Sequence, residues 1–311
     1  MAVNEIGSLE NMVYLLRYDT VYGRYERQVD AVDGKLVIDG RPLVYLSERD
    51  PERLPWADLE VDLVLECTGR FTDREHAEKH VRAGARWVIL SGPTKSPDVP
   101  TIINGVNRPD GEARIISCAS CTTNNITPLV EILDRHFGVQ KALLTTVHAY
   151  TATQALVDSP GGAKDLRRGR AAAQNFVPSS TGAASATAKA LPAMKDRFDG
   201  VAVRGPAAIG SISDVVFVLE RDTTPQGVND VLRQEASTDR YEGIVGVTEE
   251  PLVSSDIIKD PHASIVQLDL TRVVGGNLVK LMSWYDNEWG FTSQMVQVAL
   301  QQLGLDTHAR V

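Results

Sequence analysis

Cysteine is scarce. Three residues in a chain of 311 give no disulfide framework, which fits a reducing compartment rather than a secreted scaffold. Basic residues are outnumbered, 32 Lys and Arg against 41 Asp and Glu, for a net charge of −9. That balance argues against nonspecific nucleic-acid binding, which needs a cationic face to neutralise phosphates. No apolar run approaches the roughly 20 residues that span a bilayer. The opening Met1-Ala2-Val3-Asn4-Glu5 has no basic segment followed by an apolar one, so the expectation is a cytoplasmic protein with no membrane partner. Internal repeats and low-complexity tracts are missing. So is any Gly-x-Gly-x-x-Gly, the turn on which a dinucleotide's pyrophosphate rests.

What is present suffices for two domains, because 43% of the residues are apolar and length alone favours more than one core. The first part alternates. Residues 61–69 and 86–93 read as buried strands ending in small residues, 73–83 as a polar-faced crossover helix, and 101–107 as a continuation of the sheet toward position 121. Strand-like stretches dominate afterwards, at 142–150, 211–220, 271–274 and 278–285, and this suggests a second, α+β domain. Residues 183–191 read as a helix ending before Pro192, and 293–303 as an amphipathic helix that returns to the first domain.

The pivot is Ile115-Ile116-Ser117-Cys118-Ala119-Ser120-Cys121-Thr122-Thr123-Asn124-Asn125. A strand ends, small residues turn, and Ile126, Leu129, Val130, Leu133 and Phe137 then recur at helical spacing, with Pro128 tolerated in a first turn. Cys121 therefore falls at a helix N-terminus, where unpaired N–H groups favour a thiolate. A lone cysteine can equally be a small buried hydrophobe. Cys118 and Cys121 also spell C-x-x-C, although Cys67 is the only further thiol, too few for a four-ligand cysteine zinc site. No metal is expected. His148 lies on a strand and suits a base paired with the thiol. The other histidines (His76, His80, His136, His262 and His308) lie outside recognisable motifs.

Ser120-Cys121-Thr122-Thr123-Asn124 followed by Thr146-Val147-His148-Ala149-Tyr150-Thr151 resembles the phosphorylating glyceraldehyde-3-phosphate dehydrogenases. The resemblance continues through Ser180-Thr181-Gly182-Ala183-Ala184 and Ser283-Trp284-Tyr285-Asp286-Asn287-Glu288-Trp289-Gly290, in order and over nearly the whole chain. It implies an α/β fold: an incomplete Rossmann-type doubly wound parallel sheet from residues 1–120 and 288–311, plus an α+β catalytic domain with a largely antiparallel sheet from 121–287. The first strand and its glycine turn are expected to be missing, because Glu5 stands where the ribose-binding acid should follow them by about 20 residues.

By the same resemblance Cys121 is the nucleophile and His148 its base. Thr151 and Arg204 take the substrate's C3 phosphate, and Ser120, Thr122, Thr181 and Gly182 the attacking inorganic phosphate. Glu5, Arg49, Thr68, Gly69, Phe71, Ser91 and Asn287 contact the cofactor. That cofactor is NAD, with NADP left open by the small residues of Asp158-Ser159-Pro160-Gly161-Gly162-Ala163-Lys164. Implied partners are a small phosphorylated aldehyde, inorganic phosphate and three further copies in a homotetramer. The implied reaction yields 1,3-bisphosphoglycerate through a cysteine thiohemiacetal and thioester. Two alternatives stand beside it: an erythrose-4-phosphate dehydrogenase, and a non-catalytic binding or regulatory homologue. Departures from the family pattern include Asn125 where a second cysteine is common, a cysteine gained at Cys118 and Phe291 for a tyrosine. The basic run 164–170 reads as a subunit-interface loop by analogy.

Overall fold

The computed structural model describes residues 1–108, 112–160 and 165–305. A short strand β1 (Ala2–Asn4) leads into helix α1 (Leu9–Arg17), whose first turn is closed by Ser8 accepting from the Asn11 N–H. A small hairpin, β2 (Tyr18–Asp19) with β3 (Gly23–Arg24), follows, then β4 (Val29–Val32), β5 (Lys35–Ile38) and β6 (Arg41–Leu46). Strand β6 pairs antiparallel with β5 and parallel with β1, setting Ala2 opposite Val44 and Asn4 opposite Leu46. A second ladder is all parallel: β7 (Leu63–Glu66), β8 (Trp87–Leu90) and β9 (Ile115–Ser117), with helix α2 (Arg74–Arg82) crossing from β7 to β8. Asp73 caps α2 through the His76 N–H.

Among the described residues β1 pairs only with β6, and β7 only with β8. The parallel strands thus form two ladders. They share one core nevertheless, since Ala2 and Leu46 pack against a cluster containing Trp56, Val64, Val88 and Leu90.

Residues 101–107 are not a sheet strand. A single bridge joins Thr101 to Ser117, and the chain then turns because Asn107 accepts from the Ile103 N–H and donates to the Thr101 carbonyl. Local side-chain bonds of this kind compete directly with a ladder.

Helix α3 (Cys121–Phe137) begins well before its apolar period, so Pro128 lies inside it rather than in the first turn. Its first residues, from Thr122 to Asn125, are polar and yet buried, as is Thr127. They are held by tertiary bonds rather than by an apolar stripe.

The remaining strands are β10 (Val139–Ala149), β11 (Val177–Ser180), β12 (Phe198–Gly205), β13 (Ser211–Leu219), β14 (Val245–Thr248), β15 (Ser264–Gln267), β16 (Arg272–Val274) and β17 (Leu278–Tyr285). They form one sheet in the order β11-β12-β10-β13-β17-β15-β14, with β16 paired to β17. Most of its pairings are antiparallel, while β10 with β12 and β14 with β15 run parallel. Strand β13 alternates buried and half-buried residues throughout, the mark of a sheet with one fully covered face. That face packs on α3, α4 (Ala183–Ala190) and α5 (Pro225–Ala236), burying Leu129, Leu133, Phe217 and Leu232. Helix α6 (Trp289–Gln302) returns to the parallel strands, where Met295, Val298 and Ala299 meet Ile89 and Ile116.

Candidate active site

The turn between β9 and α3 is sharp. Ala119 adopts φ 56° and is wholly buried, a conformation a non-glycine residue holds only when its surroundings enforce it. Here Ser117 Oγ accepts the Ala119 N–H at 3.0 Å, and Asn124 donates to the carbonyls of Cys118 and Ser120. Ser120 caps α3 by accepting the Thr123 N–H. The Cys121 side chain is thereby fixed at the helix start, facing the end of β10.

His148 meets it there. Cys121 Sγ lies 3.4 Å from His148 Nε2, and the ring packs edge-on against Tyr285. Arg204 on β12 stands directly opposite His148 in the parallel register. Its Nη1 donates to the Ala149 carbonyl at 3.1 Å and lies beside His148 Nδ1, which is itself 2.7 Å from that carbonyl; with Nδ1–H donating there, the lone pair on Nε2 faces the thiol. Burial, reinforced by the Arg204 charge, pushes His148 down to about 4, so the imidazole is neutral near pH 7. The helix start favours a thiolate, but burial outweighs it. The Cys121 thiol is raised above its ordinary value, although bonds from Thr122 and the Arg204 charge pull the other way. The site thus holds a thiol beside a neutral base. Cys118 differs: burial pushes it up to about 12, an inert core thiol.

The residues expected around phosphate take separate positions. The Thr122 hydroxyl contacts the Tyr285 hydroxyl at 3.0 Å, and both its hydroxyl and its backbone N–H act on the Cys121 thiol. Thr181 Oγ1 accepts the Ala183 N–H at the start of α4, beside Gly182. Ser120 Oγ contacts Thr123 Oγ1, and Thr151 Oγ1 contacts Thr153 Oγ1. Sequence reasoning passed over Arg168. Its neighbours Arg167 and Arg170 pair with Asp165 and Asp158, whereas Arg168 bonds only to the hydroxyls of Thr153 and Ser179 among the described residues. Its charge acts on Arg204. Arg204 beside the thiol and Arg168, whose charge acts on Arg204, make no ion pair among the described residues, a pairing of cations suited to an anionic group. The sequence signal was the basic run at 164–170, which does not reveal which arginine is unpaired.

On the cofactor side, Glu5 follows β1 and accepts the Gly7 N–H with Oε1, and its Oε2 has no hydrogen-bond partner among the described residues. Thr68 and Gly69 form an exposed turn after β7, with Gly69 at φ 68° and open space where a Cβ would stand. Phe71 stacks on His76. Ser91 lies at the end of β8 and donates its N–H to the Glu66 carbonyl. Asn287 precedes α6. Its Oδ1 accepts from the Gly210 N–H and Ser211 Oγ, and its NH2 has no hydrogen-bond partner among the described residues. Arg49 is exposed on the loop after β6 and makes no bond to this set. A free carboxylate oxygen, an open glycine turn at the carboxyl end of a parallel strand and a free amide NH2 fit a dinucleotide's ribose, adenosine and carboxamide. Of the 158–164 segment tied to NADP use, residues 161–164 lie outside the described residues.

Parallel βα strands with nucleotide-ready turns, joined to a mostly antiparallel sheet bearing a thiol–imidazole pair, have the form of a dinucleotide-dependent oxidoreductase. Comparison with known proteins narrows this. The description "Glyceraldehyde 3-phosphate dehydrogenase, NAD binding domain" matches residues 1–74, and "Glyceraldehyde 3-phosphate dehydrogenase, C-terminal domain" matches residues 120–287. A glyceraldehyde-3-phosphate dehydrogenase of Streptomyces coelicolor is 44% identical over 303 residues, 96% of this chain and 89% of that protein. One from Thermotoga maritima is 45% identical over 298 residues, covering 95% and 88%, and one from Zymomonas mobilis 42% over 303 residues, covering 97% and 89%. The chain belongs to the glyceraldehyde-3-phosphate dehydrogenase family, whose members are NAD-dependent oxidoreductases.

Proposed function

We propose that this chain oxidises glyceraldehyde 3-phosphate with inorganic phosphate to 1,3-bisphosphoglycerate, using Cys121 as nucleophile and His148 as base. The observation that carries the reading is the Sγ–Nε2 contact of 3.4 Å in a strand-to-helix turn locked by Ser117 and Asn124. His148, neutral at working pH, takes the thiol proton on Nε2 as sulfur attacks the aldehyde carbon. The imidazolium returns that proton to the alkoxide oxygen, giving the neutral thiohemiacetal, and the freed imidazole then accepts it again as the C–H bond gives up its hydride. When bound, NAD supplies the hydride acceptor. Oxidation leaves an acyl thioester on Cys121. Phosphate attacks that carbonyl, the C–S bond breaks, and the acyl phosphate departs from a restored thiolate.

Arg204 and Arg168 supply the charge for both phosphate groups, with Thr151, Thr181, Gly182, Ser120 and Thr122 as further donors. Asn287 donates to the carboxamide, while Glu5, Thr68, Gly69, Phe71 and Ser91 line the ribose and adenosine side.

The proposed division is a cofactor domain of residues 1–120 and 288–311 around a catalytic domain of 121–287. The thiol content fits a cytoplasmic enzyme, and no helix among the described residues is long and apolar enough to cross a membrane. A homotetramer is supported by the uncovered side of the large sheet, where Leu143, Val147 and Val201 are exposed. The reaction is tested by following NADH with and without phosphate. Turnover that requires phosphate and yields an acyl phosphate supports the reading; equal turnover without it, giving the free acid, sinks it.

A further inference from the structure

A second buried polar chain lies away from the thiol, beneath the turn that follows β7. Glu66 and His80 are 5% and 4% exposed. The Trp56 indole N–H donates to His80 Nδ1 at 3.1 Å, and His80 Nε2 lies 3.0 Å from Glu66 Oε2. An indole N–H can only donate, so Nδ1 carries the lone pair and the proton sits on Nε2. The hydrogen bonds therefore run in one direction, from the Trp56 indole through His80 Nε2–H to Glu66. The other carboxylate oxygen, Oε1, accepts the Thr68 N–H at 2.8 Å and the Thr68 hydroxyl. Burial pushes Glu66 up, but the bonds from His80 and Thr68 more than offset it and leave the carboxyl below its ordinary value. His80 also packs edge-on against Phe71.

Core packing does not require this arrangement. A buried carboxylate and imidazole cost desolvation, and an apolar pair of similar volume would stabilise the fold as well or better. What the chain fixes is a turn whose residues Thr68, Gly69 and Arg70 are exposed and take no part in the core. We propose that Trp56, His80 and Glu66 are positioning residues for NAD, holding turn 68–71 in the shape that receives the adenosine half. The inference rests on the reading of that turn as a cofactor contact.

The test uses Glu66→Gln and Trp56→Phe in the full chain. Glutamine presents an NH2 or a single oxygen where Oε1 and Oε2 accept on both sides, so one bond to His80 or Thr68 is lost. Phenylalanine keeps one aromatic ring but removes the N–H together with the second ring of the indole at a buried position, so its melting temperature is read alongside, and it serves where the first variant fails to fold. Each is expected to raise the NAD Kd measured by calorimetry by about tenfold. The kcat at saturating NAD, the KM for the aldehyde and the KM for nicotinamide mononucleotide, which lacks adenosine, stay at the unsubstituted level. NAD affinity within twofold of the parent in either folded variant overturns the proposal, as does a fall in kcat or in mononucleotide use parallel to that in affinity. Gly69→Val separates the two readings: unchanged NAD affinity there means the turn is not the adenosine site at all.

Discussion

Replacing His148 by Asn removes the base and little else, since asparagine keeps a polar tip of similar reach and has no basic nitrogen. In the parent protein His148 stays neutral down to about pH 4, and its Nε2 faces Sγ at 3.4 Å. Proton transfer to it is available across the neutral range, so kcat/KM is flat from about pH 6 to 8, with no limb at the ordinary histidine value of about 6.5. In His148→Asn the thiol must ionise to solvent, and burial holds it above its ordinary range. The rate then climbs about tenfold per pH unit toward that raised value, and at pH 7 lies about 10²- to 10⁴-fold below the parent. Steady-state NADH formation between pH 6 and 9, with iodoacetamide alkylation of Cys121 alongside, reads both effects. A variant whose profile is as flat as the parent's, or whose rate at pH 7 is undiminished, refutes His148 as the base.

Three further outcomes follow from the same geometry. Arg168→Ala removes a guanidinium with no carboxylate to orphan, so it raises the KM for aldehyde or phosphate by about 10- to 100-fold with unchanged melting temperature; a shift in melting without a KM effect contradicts this anion-binding role. The folded state prefers neutral His148, so this group's stability is intact above about pH 6.5 and lost as pH falls toward 4. The loss is about 3 kcal/mol at most, and urea midpoints at pH 7 and 4.5 should fall less in His148→Asn than in the parent. Leu133→Ala opens a cavity in the fully buried α3 face and costs about 2–5 kcal/mol; a smaller change in the urea midpoint than Leu143→Ala gives would put the core elsewhere.

The thiol's place at a helix start was legible because capping, turn and period are all local: Ser120 caps, small residues turn, and Ile126 begins the apolar stripe. His148 and Arg204 came as members of motifs, yet their contact is a product of parallel register between β10 and β12, which no local pattern encodes. The same holds for Arg168, whose distinction is that its neighbours found carboxylates and it did not. Residues 101–107 look like a strand by composition and become a turn because the Asn107 side chain captures their backbone. Pro128, expected in the first turn, lies inside the helix instead, because residues 121–125 are polar and their burial is settled by β17 and the loop after β14. The Asn125 amide, for example, bonds Ser283 Oγ and the Ala263 carbonyl. His80 carried no motif at all; it gained meaning only when α2 folded it over the end of β7 between Trp56 and Glu66.

The most direct test of the whole account is NADH formation from glyceraldehyde 3-phosphate, NAD and inorganic phosphate by this chain beside its Cys121→Ser variant. The account predicts turnover in the parent and its loss in the variant, because a hydroxyl in place of the thiol gives neither the nucleophile nor the thioester leaving group. Turnover that survives in Cys121→Ser, or a parent that binds NAD and substrate yet forms no NADH, would contradict it.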